Sequence, residues 1–240
     1  MIYFDYAASS PVYPSVLDTM DAVSRETYAN PSSLYIIGYS AKKLLHESRS
    51  VLSHSIGAES DEIVFTSGGT ESNNLALFGV LHAERQKKHV IVGCTEHPSV
   101  LSVAHALERN GFTLSILPCN TSGRYSPEEL RRMIRPDTAL ISLQVANHET
   151  GVIQPIAEIG SITRERRIPL HCDAVTAFGH IPLDVRALKI DLLSVSAHKM
   201  GGPSGIGFLF VRNEIPLVPL FFGGSQERML RPGTENLPAI

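Results

Sequence analysis

Apolar, β-branched runs alternate with segments of helical period along most of this chain, and that alternation restricts the fold more than any other feature. Strand-like runs fall near 62–66, 89–94, 112–117, 138–143, 168–172, 191–195 and 206–211, and helical spacing near 14–28, 39–56, 70–87, 98–110, 126–134 and 155–166. Strand and helix in repetition pack as a parallel sheet covered on both faces, because each crossover must return across the sheet. The expectation is a three-layer α/β/α fold around a mainly parallel, seven-stranded sheet. Only a short loop separates Gly207–Arg212 from the run at 191–195, too short for a crossover helix, so that strand is expected to run antiparallel. Residues 1–13 read as an extended lead-in outside the sheet.

In open α/β sheets, ligands bind beyond the carboxyl ends of the strands, and four of those ends carry chemistry. Ser196-Ala197-His198-Lys199 follows the run at 191–195 and precedes Met200-Gly201-Gly202. A lysine there is partly shielded from water, and desolvation disfavours its ammonium form, leaving a nucleophilic amine; a solvated surface lysine is the alternative. Thr66-Ser67-Gly68-Gly69-Thr70-Glu71 passes from strand to helix through two glycines, which lets backbone N–H groups and the positive helix end meet a phosphate. An ordinary turn with Thr70 as helix cap uses the same residues. Asp173 ends the run at 168–172, where a carboxylate calls for a cation such as a protonated pyridine nitrogen, or serves as a backbone cap. His97, just past 89–94, is placed to lie on a flat ring and move protons, or is a hydrogen-bonded loop residue. Taken in order, phosphate turn, histidine, aspartate and lysine describe a socket for an aromatic, phosphorylated aldehyde.

Composition removes other classes. The formal net charge is −3, and no run of Lys or Arg exceeds two, which argues against nucleic acid as a partner. No stretch approaches 18 apolar residues, so no membrane span is expected. The amino terminus lacks a basic n-region, and the three cysteines, Cys94, Cys119 and Cys172, form no CxxC pair, so a reducing cytoplasm is the expected location. All three fall in or beside core strands and read as packing residues. Alternation along the strand points Cys172 away from the face of Asp173.

These residues resemble the cysteine desulfurases of the NifS/IscS type, within the class V aminotransferases of the fold-type I pyridoxal-phosphate (PLP) enzymes. The resemblance runs through Phe4-Asp5-Tyr6-Ala7-Ala8, Asn30-Pro31-Ser32-Ser33, Thr66 to Asn74, Thr95-Glu96-His97, His148-Glu149-Thr150-Gly151, Asp173-Ala174-Val175, Ser196 to Lys199 and Arg231 to Asn236. It implies that Lys199 condenses with the PLP aldehyde. His97 would stack on the ring and take part in proton transfer, and Asp173 would partner the pyridine nitrogen. Gly69, Thr70, Ser196 and His198 would surround the phosphate. Thr234 would reach the phosphate of the other subunit, which implies a homodimer, and Asn30 would lie near the carboxylate of the substrate, L-cysteine. A sulfur-acceptor or scaffold protein is a further implied partner.

Two positions depart from the commoner family pattern: His148 replaces a second asparagine, and Thr176 replaces a glutamine. Both belong near the phenolic oxygen of PLP. In this reading, residues 1–13 are a segment of the small domain and 14–240 the PLP-binding large domain. Thr234 caps a helix that the chain enters just before Ile240, leaving apolar residues exposed. The rest of the small domain, with its nucleophilic cysteine and substrate-binding arginine, is expected to be absent, so PLP binding should survive if the chain dimerises, and desulfuration should be lost or slight. Competing readings are another class V enzyme, such as a selenocysteine lyase, cysteine lyase or aminotransferase, and a non-catalytic or split-enzyme subunit.

Overall fold

The computed structural model describes residues 2–84 and 86–240. Seven strands form one sheet: β1 (Ile63–Thr66), β2 (His89–Gly93), β3 (Thr113–Leu117), β4 (Thr138–Ser142), β5 (Leu170–Asp173), β6 (Leu192–Ser196) and β7 (Gly207–Val211). Their order is β1-β7-β6-β5-β4-β2-β3. All pairs from β6 across to β3 are parallel, whereas β7 runs antiparallel to both β6 and β1. The short loop before Gly207 therefore has the effect expected of it.

Among the described residues the α-helices are α1 (Pro14–Glu26), α2 (Ile36–Ser55), α3 (Gly69–Ala83), α4 (Pro98–Arg109), α5 (Pro127–Met133) and α6 (Ile156–Arg166). Strand residues alternate between two apolar clusters, one on each face. Ile63, Phe65, Ile91, Leu193 and Phe210 join one, while Val64, Val90, Val92, Leu192 and Leu209 join the other beneath α3 and α4. Helix α4 shows how the sequence builds this layer. His97 caps it, accepting from Ser99 N, and Pro98 opens it where no N–H is needed. Val100, Val103, Ala104 and Leu107 then lie buried along one stripe.

Several expectations are corrected. Helix α3 was drawn to 87 but ends at Ala83, where Glu84 turns extended and its Oε1 accepts from Gln86 N; position 85 lies outside the described residues. Its cap is Gly68, at φ +139°, and not Thr70, which sits inside the first turn. Near Ile240, Thr234 caps no helix. A 3₁₀ turn, Leu237–Ala239, follows Asn236, because Pro238 offers no N–H to an α-helical ladder. The apolar residues there are covered: Leu237 is buried and Ile240 packs on the core.

The lead-in is also tied down. Ser10 N and Oγ both donate to His198 O, and Tyr13 N donates to Gly201 O. Gly201, at φ +85°, has no room for a Cβ against the Tyr13 ring. Cys172 lies in the core and Cys94 and Cys119 pack against it, as packing residues should. Among the described residues no helix is long and apolar enough to cross a membrane.

Candidate active site

A cavity of about 310 Å³ opens at the carboxyl ends of the parallel strands. Its wall includes Gly69, Thr70, His97, His148, Asp173, Thr176, Ser196, His198 and Lys199. Residues far apart in sequence thus meet where the sheet topology sends them. Asn30 and Thr234 are not brought there. Asn30 is exposed in a turn, its Oδ1 accepting from Ser32 N. Thr234 is exposed beside a smaller cavity of about 180 Å³ that it shares with Phe65, Glu227 and Arg231.

The lysine stands on a 3₁₀ turn, Ala197–Lys199, directly after β6. That turn is held from both sides: Ala197 N donates to Ile206 O, and Lys199 O is bonded by His180 Nε2. Lys199 is half-buried. Burial lowers the proton affinity of its amine, against the opposing charges of Asp173 and Asp5. It is the shielded lysine that the strand-end position calls for.

Asp173 closes β5 and is buried. Its Oδ1 accepts from Val175 N at 2.9 Å, and its Oδ2 accepts from Asn73 Nδ2 at 2.8 Å. His97 lies across the cavity, its ring edge-on to His148 with centroids 5.3 Å apart. Burial lowers the His97 pKa; Asp173 acts against this, and His148 and Lys199 reinforce it. The neutral imidazole is favoured.

The phosphate turn is built by sterics. A Cβ on Gly69 would stand 2.5 Å from Val175 Cγ2, and Gly68 occupies a conformation that side-chain-bearing residues rarely adopt. The two glycines therefore let the first turn of α3, whose N–H groups lack intrahelical partners, face the cavity. Ser196 Oγ lies 2.7 Å from His198 Nδ1 beside them. Glu71 accepts from Ser67 N and Arg231 Nε. Although burial alone would raise its pKa, the bonds from Arg231 and Ser67 hold it below the ordinary carboxylate value. Its charge is thus taken up by Arg231.

Sequence reasoning missed Asn73, Ser99, Gln144 and the depth of Glu96. Gln144 lines the floor and donates through Nε2 to Thr95 O and Oγ1, at 2.9 and 2.7 Å. Glu96 Oε1 accepts from Tyr125 OH and Gln144 N, while Oε2 is buried without a hydrogen-bond partner. Burial pushes this carboxyl up to about 8, opposed by the bond from Gln144 N and assisted by the charge of Asp173. Asn147 holds the next loop: its Oδ1 accepts from Glu149 N and Thr150 N, which sets His148 against the cavity. The Ser72-Asn73 pair ahead of the apolar run that begins at Leu75 in α3 was the available signal for Asn73.

The residues present fit PLP. Uncovered N–H groups and hydroxyls stand at one end for a phosphate, an acid stands on the sheet for a ring nitrogen, and a desolvated amine stands between for an aldehyde.

Comparison with known proteins agrees. The aminotransferase class-V family model matches residues 2–238. The cysteine desulfurase IscS of Methanosarcina thermophila is 48% identical over all 240 residues, and that of Dictyoglomus turgidum 45%. The chain spans 59% and 61% of those two relatives. Among solved structures, SspA in complex with cysteine superposes with a TM-score of 0.96 at 41% identity, over 100% of this chain and 70% of that one. A NifS-like protein superposes with a TM-score of 0.97 at 37% identity, over 99% of this chain and 66% of that one.

Proposed function

Since this chain belongs to the class V aminotransferase family, whose cysteine desulfurase members depend on PLP, we propose that it is the cofactor-binding part of a cysteine desulfurase. The substrate is L-cysteine, the products are L-alanine and a sulfur atom passed to an acceptor, and the setting is cytoplasmic. The observation that carries this reading is the meeting of Lys199, Asp173, His97 and the Gly68-Gly69 turn around one cavity.

Each residue then has a task. The α3 amino end, Thr70, Ser196 and His198 bind the phosphate. Asp173 would pair with the ring nitrogen, His148 and Thr176 would face the ring's oxygen, and His97 would cover the ring. When bound, PLP supplies an electron sink for the bond broken at the substrate's α-carbon. Lys199 would hold the cofactor by its aldehyde, and its desolvated Nζ could take up a proton once free. His97 would present its cavity-facing ring nitrogen to the bound group.

The proposal places Thr234 in a homodimer, reaching the neighbouring subunit's phosphate, which accords with its exposure on this subunit. Asn30 keeps its place on the substrate side as part of the same proposal. Residues 1–13 belong, in this reading, with a small domain and 14–240 with the large one. The partner that takes sulfur, for instance in iron–sulfur assembly, is a protein acceptor.

Borohydride reduction of protein mixed with PLP tests the reading. The cofactor mass should become fixed on Lys199 alone, and Lys199→Ala should neither colour nor gain mass. A colourless wild type would leave the remnant reading standing. Alanine release from L-cysteine, set against a panel of other amino acids, separates a desulfurase from the other class V chemistries.

A further inference from the structure

Asn73 sits in the second turn of α3, buried, with both of its amide hydrogens committed. One goes to Asp173 Oδ2 and the other to Ser99 Oγ, each at 2.8 Å. Its own Oδ1 is buried and has no hydrogen-bond partner. Exchanging the amide's oxygen and nitrogen would turn Oδ1 toward the Asp173 carboxylate, acceptor against acceptor, so the orientation is fixed. A buried amide that leaves its carbonyl unsatisfied while using both N–H groups is placed there as a double donor.

The direction of the next bond follows. Ser99 Oγ accepts from Asn73 and lies 2.8 Å from His97 Nδ1, with its single hydrogen free to point there. Ser99 N also donates to His97 Nδ1, at 3.1 Å. A ring nitrogen that meets two donors must itself be an acceptor. The imidazole proton then belongs on Nε2, to which no hydrogen bond is made among the described residues.

We propose that Asn73 and Ser99 are positioning residues that lock His97 in its Nε2–H form, through a chain of donors anchored on Asp173. The inference rests on the cofactor reading for its use: the acid assigned to the ring nitrogen also decides which nitrogen of the covering histidine carries the proton. His97 therefore presents Nε2–H to the cavity as a hydrogen-bond donor, and in this form that nitrogen has no lone pair with which to take a proton. The orientation itself needs no cofactor, since every group in the chain belongs to this protein.

Imidazole nitrogen NMR of ¹⁵N-histidine-labelled protein, without PLP and at neutral pH, tests this directly. The His97 resonances are assigned by their loss in His97→Gln. In the wild type, Nε2 should have the shift of a protonated nitrogen, and Nδ1 that of an unprotonated nitrogen moved upfield by hydrogen bonding. Ser99→Ala should move Nδ1 downfield, toward a free ring nitrogen, and Asn73→Ala should do so by less. Ser99→Thr keeps the hydroxyl and should restore the wild-type shift. A proton on Nδ1 in the wild type overturns the proposal, and so does an Nδ1 shift identical in the wild type and Ser99→Ala. The wild-type spectrum suffices if a variant fails to fold. Failure of PLP binding would leave these shifts unchanged, so the two proposals fail separately.

Discussion

The two ends of the sheet treat buried charge in opposite ways. At the end where the parallel strands begin, charges are matched. Asp191 accepts from Arg212 Nε at 2.8 Å, from Leu170 N at 3.0 Å and from Arg164. Glu62 accepts from Arg186, Asn213 N and Glu59 N. At the carboxyl end the pairing is incomplete: Glu96 Oε2 and Asn73 Oδ1 are orphaned, and Lys199 shares a cavity with Asp173 without an ion pair between them. Matched groups hold strands together; Lys199 and Asp173, which face the cavity, are left for something that enters. The contrast identifies the site independently of any family pattern.

Substitutions at the two ends should therefore separate chemistry from stability. Lys199→Ala should abolish the imine absorbance that the wild type develops with PLP, while urea denaturation shifts by less than about 0.5 kcal/mol. A large loss of stability in that variant would mean that Lys199 belongs with the matched charges. Asp191→Ala should do the reverse. It strands a nearly buried Arg212, and the cost should be about 3–5 kcal/mol, read by the same denaturation. Asp191→Asn, which keeps an acceptor, should cost less.

The architecture was legible because strand and helix periods differ and loop length fixes strand direction. Even the reversal of β7 followed from the short loop before Gly207. The strand-end residues were legible for the same reason, since topology alone collects them. What escaped was whatever depends on side-chain depth. Glu96 stands between Thr95 and His97 and looks like any loop acid, yet it folds under Tyr125 into the core; a Cβ on Gly93 would strike the Tyr125 hydroxyl. Ser99 looked like a first-turn helix residue and proved to be a link to His97. Thr234 was read as a cap by residue type, but the proline at 238 sets the local geometry.

Two buried groups sharpen the comparison through pH. His171 links β4 and β6 through Ser142 and Ser194, and burial drives its pKa down to about 3. Between pH 3 and 6.5 the unfolded chain takes a proton there that the folded chain refuses, so stability rises with pH in that window. Glu96 behaves oppositely: with a folded value of about 8 against 4.5, the folded state keeps a proton that the unfolded state loses. Its contribution falls as pH rises from 4.5 to 8. Each slope is about 1.4 kcal/mol per pH unit, so the two cancel between 4.5 and 6.5. Stability measured across pH in Glu96→Gln, minus that of the wild type, should rise steadily over pH 4.5–8. A flat difference would mean that Glu96 is ionised when folded and does not belong with the unmatched groups.

The smallest effect concerns the cavity wall itself. His148 touches the His97 ring edge, and Thr176 stands three residues beyond Asp173 on the same turn. If both face the oxygen of a bound ring, each contributes one neutral hydrogen bond, about 0.5–1.5 kcal/mol. Thr176→Gln lengthens the side chain toward that oxygen, and His148→Asn withdraws one. The first should tighten PLP by up to about tenfold and the second should weaken it by no more than that, both read by titrating absorbance. Neither should move the urea midpoint, because neither residue lies in the matched end. Should Thr176→Gln instead weaken binding, the cavity at that corner is already filled, and the threonine is there to make room for the imidazole at 148.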